Sequence, residues 1–480
     1  MGLSVRVLAA SGLGLVAGSC ACAQPQGGDA HAMPQFHWSR SLPVDSLSPA
    51  IGELGGTETR ALVGLGGKLY AGIGYWSDSE TESPQLPGAQ VLVLDAPSSR
   101  WRVDLQLDGR IGTGPRAGAR TYMAISVLDV VTFRSDMRGK GIPPTSVLLA
   151  GVWRRDRDGG TEIFYRIEGD RSWKKSVLAP AGSPGQQARG FFLYTDKVTK
   201  TERVFAGTGV PKGDQPGGIW SGVFDSEFRE IHWNPAPEAW DKPPDTEATL
   251  ATIRVASFAE CGNTLYAAAY DCLYERQDGG APVWKKVFQR SVPSSNVKGG
   301  TGFRGLTMLD DPCLRRQVLL VAQEARPFVI LKIDPRNGFR ASVDLNISEY
   351  LGRRWNRDVG YGIAAYNNMT PYPGRANAQA PSLLIGFEAA LPQQPAGRFK
   401  KFELGAHFLV RHPDGRYDLR DVIDQSLRPS PVLLSVRALT ASPFPEDPAG
   451  TLYAGGFDAN SVPVHNTAWI YRGVPVPLEK

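Results

Sequence analysis

Residues 254–270 read RVASFAECGNTLYAAAY. An apolar run opens at Arg254, Gly262-Asn263 is a turn dipeptide, and a second run carries Leu265-Tyr266. That order predicts strand, tight turn, strand. The phrase recurs as RALVGLGGKLYAGIGY from Arg60 and as RALTASPFPEDPAGTLYAGGF from Arg437. Looser copies begin at Arg120, Arg189 and Arg304, and one with tyrosine in place of arginine begins at Tyr361. Each copy is followed by a second hairpin with an aromatic just after its turn. Examples are VLVLDAPSSRWRVDLQL from Val91, EIFYRIEGDRSWKKSVL from Glu162, CLYERQDGGAPVWKKVF from Cys272 and HFLVRHPDGRYDLRDVI from His407.

Four short strands per unit, repeated along the chain, predict an all-β, seven-bladed β-propeller. The six intervals between Arg60 and Arg437 average about 63 residues, longer than common propeller repeats. The surplus predicts long loops at 77–89, 134–145, 367–381 and 391–402. No sustained amphipathic helix is expected. The last unit, TAWIYRG from Thr467, stops after one strand, and residues 36–42, FHWSRSL, supply a spare one. Their pairing would close the ring and remove two exposed edges. The 54 glycines and 37 prolines suit many turns, and 42% hydrophobic residues suffice for a core.

The 53 basic and 48 acidic residues are well mixed, which argues against a nucleic-acid partner. Arg6, an apolar run over 7–17 and Ala21-Cys22-Ala23 read as a signal peptide spanning 1–23. Ala17-Gly18-Ser19-Cys20 is also similar to a lipobox, so two routes stand open. One gives a free periplasmic or extracellular protein; the other gives a lipid anchor at Cys20, the only membrane contact expected. Residues 24–57 are the lead-in with its closing strand, and 58–480 the propeller. A bridge between Cys261 and Cys313, in equivalent turns of adjacent repeats, stands beside buried free thiols.

Arg-x-Leu or Met, then Gly-x-Leu-Tyr-x-Gly, then an aspartate-rich turn and a tryptophan resembles the blades of bacterial secreted propellers. These belong with the kelch, galactose-oxidase-like and sialidase-like groups. The resemblance covers residues 58–473 and implies fold rather than activity. Asp278-Gly279-Gly280 before Trp284 and Gly169-Asp170 before Trp173 are fragments of the sialidase Asp box, so sialidase activity is not implied.

In propellers the opening strand of each blade lines the central channel. Arg60, Arg120, Arg189, Arg254, Arg304 and Arg437 would therefore ring its mouth and suit a carboxylate, sulfate or phosphate. The competing reading packs each arginine between blades on carbonyls or acidic neighbours. The unit that breaks the pattern adds Tyr361 and Asn367-Asn368 as ligand-binding candidates. Loops after second strands offer Trp76, Asp78, Trp153, Arg154, Asp271, Arg326 and four catalytic candidates, Glu324, Glu388, Asp458 and His465. A carboxylate beside an arginine or histidine is suited to acid–base work. Solvated loop positions are the bland alternative. No metal ligand set, phosphate loop or nucleophile elbow occurs, and no cofactor is identified. Asp156-x-Asp158-Gly159-Gly160 begins like a calcium loop whose ligand series then stops.

Two functions follow. The first is an exported non-enzymatic binding or scaffold protein recognising an anionic small molecule, a glycan or an envelope partner. The second is a propeller hydrolase, lactonase or lyase with its site in the channel mouth.

Overall fold

The computed structural model describes residues 33–42, 54, 56–75, 87–114, 117–156, 160–181, 187–209, 217–240, 254–290, 302–324, 328–366, 369–372, 381–391, 405–426, 433–457 and 468–476. The expected leader and both processing sites lie outside them.

Gly262 and Asn263 both have φ near +59°, the left-handed pair that a two-residue hairpin turn requires. Cys261 therefore pairs with Thr264, joining Val255–Cys261 to Thr264–Ala269. The second strand runs three residues past Tyr266. Cys272–Gln277 and Val283–Gln289 complete a four-stranded antiparallel sheet. Gly302–Asp311, Arg316–Glu324, Val329–Asp334 and Arg340–Asn346 form another.

The same meander opens at Glu58–Leu65, Tyr122–Ser135, Gln187–Thr195 and Tyr361–Ala364. The last begins at Val436–Ala441, continues through Leu452–Phe457 and Ala468–Pro475, and takes Phe36–Leu42 as its fourth strand. The protein is all-β, and among the described residues no sheet closes on itself. The opening strands of the first six units pack against one another in chain order, and Val436–Ala441 packs against Ser382–Ala390 of the sixth and lies back against Glu58–Leu65. Apolar side chains fill the gaps between neighbouring meanders. Phe205, for example, meets Phe258, Leu265 and Trp284 of the next unit.

One expected loop needs correction, one short helix joins the strands, and one of the two cysteine alternatives falls. Residues 134–145 form no loop: Tyr122–Ser135 and Gly141–Arg154 extend as one long hairpin to a turn at 136–140. Asp136 Oδ1 accepts from the amides of Arg138 and Lys140, and Glu202 Oε2 accepts from those of Arg134 and Ser135. A short helix, Ile347–Trp355, follows Asn346, whose side chain caps the Glu349 amide. Nine residues are too few for the periodicity to stand out. Cys261 is a free, buried thiol, pushed up to about 11 by burial, so Cys313, which is disulfide-bonded, is not bridged to it.

The aromatic after three of the outer turns has a structural task. Trp173 Nε1 donates to Asp104 of the preceding meander, which also receives Arg166. Trp284 Nε1 donates to Glu238, which also receives Arg276. Tyr417 and Arg411 share Asp344. These clamps join the first unit to the second, the third to the fourth and the fifth to the sixth.

Candidate functional site: an arginine cage

A β-bulge sits in each opening strand where the arginine occurs or close by. Register slips between Thr59 and Ala61, Ala188 and Gly190, and Val436 and Ala438, leaving Arg60, Arg189 and Arg437 as the extra residues. The slip between Phe303 and Leu306 contains Arg304. A bulge re-aims one side chain without breaking the sheet. Here it lets an apolar strand present a guanidinium towards its counterparts in other units.

The result is a compact charged cluster. Arg60 Nε donates to Glu58 Oε2 at 2.6 Å. Arg437 Nε lies 2.7 Å from Glu58 Oε1, and its Nη2 lies 3.1 Å from Glu388 Oε2. Both of these are ion pairs by distance that lack hydrogen-bond alignment. Arg254 and Arg304 converge on Glu324 Oε2. Tyr366 lies among them, with the guanidinium carbons of Arg437, Arg304 and Arg60 at 4.4, 4.6 and 5.8 Å from its ring centre. All five arginines, counting Arg189, are buried, as are Glu58, Glu324 and Glu388.

Arg189 differs from the rest. Its Nε meets no acceptor, as is true of Arg254 and Arg437, but unlike theirs its guanidinium pairs with no carboxylate among the described residues. Burial, and then repulsion from Arg254, Arg304 and Arg60, push it down to about 9 against the pull of Tyr366. An uncompensated buried ion costs about several kcal/mol even after relaxation. Burial, with Glu58 and Glu324 close by, pushes the Glu388 carboxyl up against the pull of Arg437. Tyr366 moves the other way: burial would raise it, but Arg60, Arg189 and Arg304 draw it down to about 8.

Thus five of the six sequence-predicted arginines meet one another and two of the predicted carboxylates, Glu324 and Glu388. Arg120 is buried too, stacked 4.2 Å over Tyr75. Tyr361 opens its strand, but only its backbone belongs to the described residues. Asn367, Asn368, Asp458, His465, Trp76, Asp78 and Arg326 lie outside them. Trp153 packs 5.7 Å from Arg60, whereas Arg154 is engaged by Asp156 and Glu162. Asp271 lies within 3.2 Å of the Cys272 thiol. Glu58 and Tyr366 complete the cluster and were not anticipated. A weak signal existed for Glu58, which stands two residues before Arg60; Tyr366 had none.

No protein-family model matches the sequence, and no curated protein matches it. Among solved structures, the BP39L lectin from Burkholderia pseudomallei aligns at 13% identity over 88% of this chain and 99% of its own, TM-score 0.47. The NanB sialidase from Streptococcus pneumoniae aligns at 12% over 93% and 71%, TM-score 0.38. A Trypanosoma rangeli sialidase aligns at 10% over 72% and 59%, TM-score 0.36. With scores below 0.5, these likenesses fix neither ligand nor activity for this chain.

Proposed function

We propose that the meanders are the seven blades of one propeller, closed by Phe36–Leu42, and that its axis binds an anion. The protein is then a non-enzymatic binding or scaffold protein for an anionic small molecule, a glycan carrying carboxylate or sulfate, or an acidic envelope partner. The observation that carries this reading is Arg189, a buried guanidinium with no carboxylate of its own beside three that repel it. Five guanidiniums face three carboxylates, and an exogenous anion would discharge the excess.

Thermal melts test this with galacturonate, N-acetylneuraminate and sulfate against glucose. The anions should raise Tm and glucose should not. Arg189→Met should melt higher than the parent without anion and lose the anion response. Equal shifts with glucose, or an unchanged response in Arg189→Met, would overturn the reading.

The enzyme reading has one supporting observation: two neighbouring titratable groups are pushed in opposite directions, Glu388 up and Tyr366 down. A hydrolase, lactonase or lyase would use Glu388 as its acid. Turnover of chromogenic glycosides, lactones or esters that vanishes in Glu388→Gln would favour it. Export to the periplasm or beyond is part of the proposal. Intact mass of the mature protein would then begin after residue 23, or at Cys20 with a diacylglycerol.

A further inference from the structure

Tyr366 reaches the cage by an unusual route. The strand Tyr361–Ala364 ends, and Ala365 adopts the left-handed conformation at φ 49°. A non-glycine residue there is strained and persists only where its surroundings hold it. Both backbone groups of Ala365 are held: its amide donates to Gly386 O at 2.9 Å, and its carbonyl accepts from Gly305 N at 2.8 Å. The turn that follows swings the ring of Tyr366 beneath guanidiniums from three other meanders. This is also the meander whose opening arginine is replaced by tyrosine.

We propose that Tyr366 is the switch of the anion site: as a phenol it leaves two surplus guanidinium charges to an exogenous anion, and as a phenolate it cancels one of them and weakens the hold on the anion. The inference rests on the anion-binding reading above and adds its regulation. The charge count supports it. Among the described residues, the cluster that holds Tyr366 takes Glu58 and Arg60 from the first meander and Arg189 and Arg254 from the third and fourth. Arg304 and Glu324 come from the fifth, Glu388 from its own, and Arg437 from the last. Five cations against three carboxylates leave two positive charges for a neutral phenol and one for a phenolate. Tyr366 gives up its proton at about 8, because Arg60, Arg189 and Arg304 overcome the cost of its burial. Burial lowers Arg189 as well, and Tyr366→Phe separates the contribution of the phenol from that of the guanidinium.

The test uses the full chain and its Tyr366→Phe variant, titrated calorimetrically with sulfate and with galacturonate across this range. Parent affinity should fall about tenfold between pH 7 and pH 9, following competition by a group ionising near 8. Tyr366→Phe should stay within about twofold until Arg189 itself titrates. Linkage requires the reciprocal effect: saturating sulfate must raise the midpoint of the one early tyrosinate transition in the near-ultraviolet spectrum of the parent. That absorbance titration needs no variant, so it decides the matter even where Tyr366→Phe fails to fold. If parent and variant bind anions with the same pH profile, or no tyrosine ionises early, the switch is overturned and the binding site stands. If neither probe binds the parent at any pH, the binding reading falls and the switch with it.

Discussion

At the scale of single residues, charge burial dictates behaviour more than composition does. Asp129 stands half-buried on the strand Tyr122–Ser135, and burial pushes its carboxyl up to about 6 against the pull of the Val130 amide. The folded form therefore holds its proton more tightly than the unfolded chain, whose value is 3.8. The stability this gives is fully present below 3.8 and is lost as pH rises through about 6. Asp129→Asn should therefore melt higher than the parent at neutral pH, by roughly 1 kcal/mol, and converge with it in acid. A constant difference at every pH would refute this. The cage divides by legibility along the same line. Repetition made the arginines visible, because the same bulge recurs in strand after strand. Tyr366 was invisible because one left-handed alanine places it, and nothing in the residues around Ala365 announces that conformation.

Among the elements, hairpins with two-residue turns were readable, since Gly262-Asn263 and Gly66-Gly67 leave few alternatives. The long arm of Tyr122–Ser135 and Gly141–Arg154 was not, because Gly139, Gly141, Pro143 and Pro144 carry loop chemistry. Those prolines lie on the stretch before Val147, where pairing with Thr161–Ile167 begins, so their missing amide protons cost no ladder bond on that side. Glu202 of the next meander secures the arm. Glu202→Ala should speed hydrogen exchange at the amides of Arg134 and Ser135 while global stability drops by only about 1–2 kcal/mol. Unchanged exchange there would show that the arm holds itself. The clamp around Arg276 is costlier to break, because it ties the buried Asp196 and Asp278 to Glu238. Arg276→Met would leave these carboxylates facing one another and should cost about 3–5 kcal/mol in denaturant titrations. A loss below about 1 kcal/mol would mean that water already reaches the junction.

Across the whole molecule, Phe36–Leu42 links the two extremes of the fold. Trp38 is buried against Phe408, its carbonyl accepts from the Gln425 amide, and together with Ser39 and Arg40 it pairs with Tyr471–Gly473. Trp38→Ala should cost about 3–5 kcal/mol, read from chemical denaturation. Deleting residues 33–42 should go further, baring the edge of Ala468–Pro475 and driving self-association in light scattering. A monomeric, fully stable deletion variant would argue against the proposed ring closure. The strand pairing also has a meaning in time. Arg40 and Tyr471, which bond at 3.3 Å, are separated by 431 residues, and bringing such distant partners together from a flexible chain costs about 5 kcal/mol of entropy. That contact forms readily only when the intervening meanders have already shortened the path. The leading strand is thus synthesised early and docks last. A chain interrupted before Ala468 lacks the strand that pairs with Phe36–Leu42 and leaves it only the contacts of Trp38 to Phe408 and Gln425, so an unfinished molecule differs from a finished one by a single open edge.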